Sequence, residues 1–151
     1  MRRRPWFLFT GSGRCAGGGT SCTGPSGLGC GTIAIGTSGK GYRVLYRLKG
    51  GADGWNATSL TSDMKGTLYS GTSFGGRSGC ATGYGCGTLF KVSTLGSGYS
   101  VLYRFKGGMD GWNPYLHGPI EVSGTLYGTT YYGGGFGRGG SGCGTVFAVT
   151  P

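Results

Sequence analysis

Short segments in which apolar and polar residues alternate recur along the chain and predict β-strands. Val101, Tyr103 and Phe105 fall on one face of such a segment, and the residues between them fall on the other. Gly, Asp, Asn and Ser separate the segments, and no window has a helical stripe. In the middle of the chain this pattern predicts four strands, over residues 56–63, 66–72, 87–93 and 99–106.

The predicted strands belong to a repeat, because the same segments return 56 to 58 residues later. Gly-Cys-Gly-Thr appears three times, and three other segments appear twice. A fixed period predicts units that bury their faces against each other. Four antiparallel strands per unit are typical of a β-propeller blade. The repeated segments are Gly-Cys-Gly-Thr at 29–32, 85–88 and 142–145, Val-Leu-Tyr-Arg at 44–47 and 101–104, Asp-Gly-Trp-Asn at 53–56 and 110–113, and Gly-Thr-Leu-Tyr at 66–69 and 124–127.

The repeat predicts an all-β chain of about 2.5–3 blades in a single repeat domain, residues 1–151. A partial first blade spans 1–50, a second blade spans 51–106, and a partial third blade spans 107–151. Propeller rings have about four to eight blades. Either the chain is a piece of a longer protein, or identical chains complete the ring. We therefore expect self-association, as a homodimer or a polymer, unless the chain is a fragment.

The repeated residues also carry a family resemblance. The run Gly-Thr-Leu-Tyr-Gly-Thr-Thr-Tyr-Tyr-Gly-Gly at 124–134, with Gly-Thr-Val-Phe at 144–147, resembles the GloVer-type tandem repeat of bacterial surface proteins. The resemblance covers nearly all of the chain after residue 6. It implies a propeller-like fold in a secreted or surface-anchored protein, and it supplies no catalytic residues.

Glycine and cysteine shape the predicted loops. The chain has 39 glycines, many of them in the long connection between the second and third strands of each unit. Cysteines bracket that connection, so we predict disulfides Cys80–Cys86 and Cys22–Cys30, each worth about 2–3 kcal/mol. The spacing leaves Cys15 and Cys143 without an assigned partner.

The cysteines favour an oxidising compartment, which predicts an extracellular or cell-surface location. The N-terminus offers no clear signal peptide, because residues 6–9 are too few for an apolar region of about 7–15. No segment approaches the roughly 20 apolar residues of a membrane-spanning helix, so no membrane span is expected.

The net charge of +10 indicates a possible attraction to acidic polymers. Arg47 with Lys49, and Arg104 with Lys106, would stand at the rim of successive blades. Lysine on an exposed edge also prevents unwanted strand pairing, and this second interpretation is favoured. A nucleic-acid or polyanion binder is therefore an alternative hypothesis.

The Asp-Gly-Trp-Asn segments could either bind a metal ion or form a hydrogen-bonded turn. Asp53 and Asp110 would coordinate Ca²⁺ with loop oxygens, but calcium needs more oxygen ligands than this spacing offers. A turn in which the carboxylate accepts backbone N–H groups is favoured. No cofactor is predicted, and Ca²⁺ is the alternative.

The chain has few residues suited to acid–base catalysis, since it contains four acidic residues and one histidine. Tyr115, His117 and Glu121 would lie on a strand lining the channel and are the catalytic candidates. Glycoside hydrolysis uses two carboxylates in different environments. The sequence leaves a glycan-active hydrolase or lyase open as an alternative, and favours a protein that is not an enzyme.

Aromatic residues outside the repeated core positions indicate a binding role. Flat rings with polar tips suit sugar rings, and repetition adds avidity. We therefore predict a protein that binds carbohydrate or a cell-wall polymer, with an adhesive or structural role. The candidate ligand-binding residues are Trp55, Tyr84, Trp112, Tyr131 and Tyr132, with Phe74 as a further loop aromatic.

Overall fold

A computed structural model describes residues 6–11, 29–37, 41–80, 83–114, 117–135, 137 and 141–151, with the backbone alone for 6–11 and 37. Within these residues the regular structure is β-strand and two 3₁₀ turns, Gly51–Asp53 and Gly108–Asp110. The strands are β1 (Trp6–Gly11), β2 (Thr32–Thr37), β3 (Tyr42–Arg47), β4 (Trp55–Ala57), β5 (Thr61–Ser62), β6 (Thr67–Phe74), β7 (Thr88–Ser93), β8 (Ser100–Arg104), β9 (Ile120–Val122), β10 (Thr125–Thr129) and β11 (Val146–Val149).

These strands form three antiparallel sheets in chain order. The first sheet has the order β1-β2-β3, and the third has the order β11-β10-β9. The second sheet has the order β4-β6-β7-β8, with β5 also paired to β6. The predicted all-β, antiparallel organisation is confirmed.

The first strand of the second sheet differs from its prediction. Residues 56–63 were expected to be continuous, but they are divided into β4 and β5. Ala57 lies opposite Thr72, whereas Thr61 lies opposite Tyr69, so the register shifts by one residue between them. Asn56 has a φ of 59°, which turns its N–H away from β6 to the carbonyl oxygen of Cys30. Trp55 and Ala57, on either side of Asn56, keep one register against β6, so the shift falls at residues 58–60.

A β-bulge recurs at the same place in the first two sheets. Ile33 and Ala34 lie opposite Tyr46 and Val44, so Leu45 is the extra residue. Leu102 is the equivalent extra residue opposite β7. A bulge displaces side chains from strict alternation, which places Leu45 in the core although Val44 and Tyr46 flank it.

The core consists of two apolar clusters, each between consecutive sheets. The first cluster combines Ile33, Ile35 and Leu45 of the first sheet with Leu68 and Phe90 of the second. The second cluster combines Leu89 and Phe105 with Leu126 and Trp112 of the third unit. The second sheet thus contributes opposite faces to the two clusters, since Leu89 and Phe90 are neighbours on β7.

A disulfide joins Cys80 to Cys86, with the Cα atoms 5.3 Å apart, and confirms that predicted pair. Its sulfur atoms lie in the second core cluster. Cys30 is also disulfide-bonded, while its predicted partner Cys22 lies outside the described residues, as does Cys15. Cys143 is an exposed free thiol. No helix in the described residues is both long and apolar enough to cross a membrane.

Candidate functional site

The two Asp-Gly-Trp-Asn segments form the same hydrogen-bonded turn. Asp53 accepts hydrogen bonds from the Tyr46 hydroxyl at 3.1 Å and from the Lys49 backbone N–H at 3.0 Å. Asp110 accepts the equivalent bonds from Tyr103 at 2.7 Å and from Lys106 at 2.8 Å. The repeated Tyr, Lys and Asp positions therefore tie the end of one unit to the start of the next.

These carboxylates change the acidity of the tyrosines that bind them. Burial, followed by the charge of Asp53, raises the pKa of Tyr46 to about 12. The hydrogen bond to Asp110, with burial adding to it, raises the pKa of Tyr103 to about 12. Both effects favour the neutral hydroxyl, which is the form that donates to the carboxylate.

A pair of threonines lies under each turn. The hydroxyls of Thr72 and Thr88 are 2.8 Å apart, and the equivalent hydroxyls of Thr130 and Thr145 are also 2.8 Å apart. The oxygen of Thr72 also accepts the Thr88 backbone N–H at 3.0 Å. A Cβ on Gly54 would come within 2.2 Å of the Thr72 hydroxyl oxygen, so this position requires glycine. The Thr of Gly-Cys-Gly-Thr and the Gly of Asp-Gly-Trp-Asn therefore form one structural unit.

The repeated tryptophans pack against aromatic residues of the following loop. Trp112 is buried and stacks on Tyr132 with ring centroids 4.1 Å apart. Trp55 is half-buried, stacks on Phe74 at 4.5 Å and meets the edge of Tyr84 at 5.9 Å. One face of each indole is thus covered by its own neighbour.

An open pocket of about 370 Å³ lies beside these aromatic stacks. Its lining comes from two units, and the residues pair by their place in the repeat: Asn56 with Asn113, Ser73 with Tyr131, and Phe74 with Tyr132. Asn113 has the same left-handed backbone as Asn56, with a φ of 58°, and it donates its N–H to the Cys86 carbonyl oxygen. The repeated asparagine therefore shapes the pocket wall in both units.

Two polar atoms in this wall have no hydrogen-bond partner within the described chain. They are the hydroxyl oxygen of Ser73 and the side-chain oxygen Oδ1 of Asn113. Ser73 is 1 % exposed. A buried polar atom without a partner costs about 1–3 kcal/mol, so such atoms usually mark an interaction that is completed by a ligand or water.

The predicted ligand-binding residues divide into two groups around this pocket. Tyr131 and Tyr132 line it. Trp55, Tyr84 and Trp112 are not among the lining residues, but each contacts Phe74 or Tyr132. Sequence reasoning missed Ser73 and the repeated asparagines as residues of this pocket. For the asparagines, the usable signal was their return at the same place in both Asp-Gly-Trp-Asn segments.

Neither His117 nor Glu121 is among the residues that line this pocket. Glu121 on β9 accepts the Gly124 backbone N–H at 2.6 Å, and His117 is exposed. Tyr115 lies outside the described residues. A catalytic role for these three residues stays a prediction.

All four carboxylates of the chain accept backbone N–H groups. Burial acts to raise the pKa of Asp63, but hydrogen bonds from Thr67, Lys65 and Gly66 outweigh it and lower that pKa. The part of the chain that the structure describes contains no group of three His, Cys, Asp or Glu residues able to hold a metal. The Asp53 and Asp110 carboxylates act as turn acceptors, and calcium binding stays an untested alternative.

The predicted rim cations are exposed in both units, namely Arg47, Lys49, Arg104 and Lys106. Arg104 donates from Nε to the Ala52 carbonyl oxygen at 3.2 Å, which ties β8 to the preceding 3₁₀ turn. At least one of these cations, Arg104, therefore stabilises the fold.

Comparison with protein-family models, with curated proteins and with solved structures found no match to this chain.

Proposed function

We propose that this chain is a secreted or surface-exposed repeat protein that binds carbohydrate in the pocket between the second and third units. The observation that carries the proposal is the combination of aromatic rings with unpartnered polar atoms in one wall. Phe74, Tyr131 and Tyr132 supply the rings, and Ser73 and Asn113 supply the polar atoms.

Sugars offer both kinds of contact that this wall can accept, namely hydrogen bonds for its polar atoms and apolar C–H faces for its rings. Their C–H faces stack on aromatic rings, while their hydroxyls donate and accept hydrogen bonds. The Oδ1 atom of Asn113 accepts only, whereas the Ser73 hydroxyl both donates and accepts, with its hydrogen directed by rotation about the Cβ–Oγ bond. A volume of about 370 Å³ is near the lower end for ligand pockets, which favours a short oligosaccharide or the end of a polymer.

The proposed architecture is propeller-like, with about three units of the GloVer-type repeat. Support comes from the order of the sheets and from the two core clusters between consecutive sheets. An extracellular or cell-surface location is part of the proposal, and the Cys80–Cys86 disulfide supports it.

The test is binding of the purified chain to an array of neutral and acidic glycans. We expect the wild-type chain to bind a neutral glycan, and Ser73→Ala and Tyr131→Ala to bind it at least about tenfold more weakly, which corresponds to ~1.4 kcal/mol. Ser97→Ala and Tyr42→Ala are matched controls, because both residues are exposed and neither lines the pocket. Equal binding by all four variants would contradict the proposal.

The same array separates the alternative functions. Binding to acidic polymers alone, with roughly one unit of logarithmic salt slope per phosphate contact, would favour the polyanion hypothesis. Release of shortened glycan, lost on His117→Ala or Glu121→Gln while binding remains, would favour the enzyme. Either result would replace the binding function proposed here.

A further inference from the structure

Ser73 and Asn113, whose buried atoms lack partners in the pocket wall, are neighbours across the boundary between two units. The chain around both residues meets at Gly87. A Cβ on Gly87 would come within 3.2 Å of the Ser73 carbonyl oxygen and within 2.7 Å of Cδ of Pro114, the residue that follows Asn113. A ligand in the pocket can therefore contact both residues with adjacent groups.

The Ser73 hydroxyl differs from its neighbours on β6. The Ser70 hydroxyl donates to the Thr58 carbonyl oxygen at 3.2 Å, and the Thr72 hydroxyl donates to the Phe74 carbonyl oxygen at 2.9 Å. Ser73 is as deeply buried as these two residues, yet its hydroxyl has no partner within the described chain. The repeat does not require a serine at this position, because the third unit has Tyr131 there.

The Oδ1 atom of Asn113 limits the kind of group that can bind it. This atom only accepts, so its partner must be a donor. A sugar hydroxyl donates, but it also brings lone pairs that need partners in a wall made largely of aromatic rings. An amide N–H donates and has no lone pair to satisfy. A donor-only group is therefore the better match for this acceptor-only atom.

The rest of the wall is uncharged and aromatic. None of the described lining residues is Lys, Arg, His, Asp or Glu, and Phe74, Tyr131 and Tyr132 supply rings. Burying a carboxylate or an ammonium group without an opposite charge costs free energy, so the wall disfavours a charged sugar. A methyl group placed against the rings is favoured, because it leaves water for an apolar surface.

We infer that the pocket binds the acetamido group of an N-acetylated amino sugar. The acetamido N–H donates to Oδ1 of Asn113, its carbonyl oxygen accepts from the Ser73 hydroxyl, and its methyl group packs against the aromatic rings. A plain hydroxyl lacks the methyl group, and an O-acetyl ester lacks the donor. This inference rests on the proposed carbohydrate binding and names the class of sugar that the pocket selects.

The test compares pairs of glycans that differ only at the carbon next to the anomeric centre, where one member has an acetamido group and the other a hydroxyl. The probes are N-acetylglucosamine with glucose, N-acetylgalactosamine with galactose, and triacetylchitotriose with cellotriose, each titrated into the purified chain by calorimetry. In every pair that binds, we expect the acetamido member to bind at least about tenfold more tightly.

Two variants connect this preference to the pocket. Ser73→Ala and Asn113→Gly should each bring the affinities of the two members closer together, and glycine suits the φ of 58° at Asn113. Ser97→Ala is the matched control, because Ser97 is exposed and does not line the pocket, and it should keep the full preference. Circular dichroism checks that each variant folds.

The outcomes separate this inference from the proposed function. Equal or tighter binding of the hydroxyl members would overturn the inference and leave carbohydrate binding in place. A preference for acetamido members that Ser73→Ala and Asn113→Gly both retain would also overturn it, because another surface would then recognise the group. If the chain binds no glycan of either kind, the proposed function is wrong and the inference with it.

Discussion

At the residue scale, the repeated motifs act mainly as connectors between units. In each Asp-Gly-Trp-Asn segment, the Asp carboxylate accepts hydrogen bonds from the preceding Tyr and Lys. The glycine leaves room for the threonine pair, and the Asn backbone N–H donates to the carbonyl oxygen of the preceding Cys. The sequence predicted that the carboxylates would serve a turn. It could not predict the tyrosine donors, because strand and turn are seven residues apart and meet only after the chain folds.

Trp112 tests whether the repeated indoles support the fold or hold a ligand. It is buried in the second core cluster and stacked on Tyr132. Trp112→Ala should lower the free energy of unfolding by about 3–5 kcal/mol, because it leaves a cavity between two sheets. Trp55→Ala should cost less, since Trp55 is only half-buried. Denaturant unfolding of both variants measures the difference.

A different combination of stability and binding results would show that Trp112 contacts the ligand. If Trp112→Ala unfolds at the same denaturant concentration as the wild type but loses glycan binding, its indole is a binding platform. Tyr42→Ala is the control, because this exposed ring belongs to neither core cluster and does not line the pocket.

At the scale of elements, alternation predicted where strands lie but not where they are interrupted. β6, β7 and β8 lie within one or two residues of their predicted bounds. The bulges at Leu45 and Leu102 and the break between β4 and β5 were not predicted. Each depends on how one strand pairs with the next, and such pairing leaves no periodic signal in the sequence.

Gly54 offers a test of the contact between the turn and the threonine pair. Gly54→Ala should lower the free energy of unfolding by about 1–3 kcal/mol more than Gly51→Ala, the cost typical of overpacking. Both positions have positive φ, but a Cβ at Gly54 meets Thr72 and Thr88, whereas a Cβ at Gly51 meets nothing within 4 Å. The backbone at Gly54, with φ 86° and ψ 167°, adds to the cost.

Thermal or denaturant unfolding of the two glycine variants gives the comparison. Gly111→Ala should behave as Gly54→Ala does, since its Cβ would meet Thr130 and Thr145 in the third unit. Equal losses at Gly51 and Gly54 would mean that backbone strain alone explains these glycines, and that the threonine pair adjusts freely.

At the scale of the whole molecule, each sheet depends on its neighbour. The repeat predicted that units would bury their faces against each other, and the two core clusters lie between consecutive sheets. The pocket could not be predicted, because Ser73 is one of several serines in a polar run and only its burial beside Asn113 distinguishes it. A pocket shared by two units is a property of their packing rather than of either segment.

This arrangement predicts unequal stability along the chain. β6 and β7 each have paired strands on both sides and contribute buried residues to both clusters, Leu68 and Phe90 to the first and Tyr69 and Leu89 to the second. β2 and β10 are also paired on both sides, but each has buried residues in one cluster only. In hydrogen exchange, the backbone amides of β6 and β7 should therefore be the last to exchange.

Leu126→Ala shows whether the sheets unfold together. Leu126 is fully buried in the second cluster and absent from the first, and its loss should cost about 2–5 kcal/mol. If stability is a sum of units and of the interfaces between them, the amides of β10 should lose most protection and those of β2 least. Equal losses in all three sheets would instead mean that the molecule unfolds as one cooperative unit, in which the second sheet transmits every local change to the first.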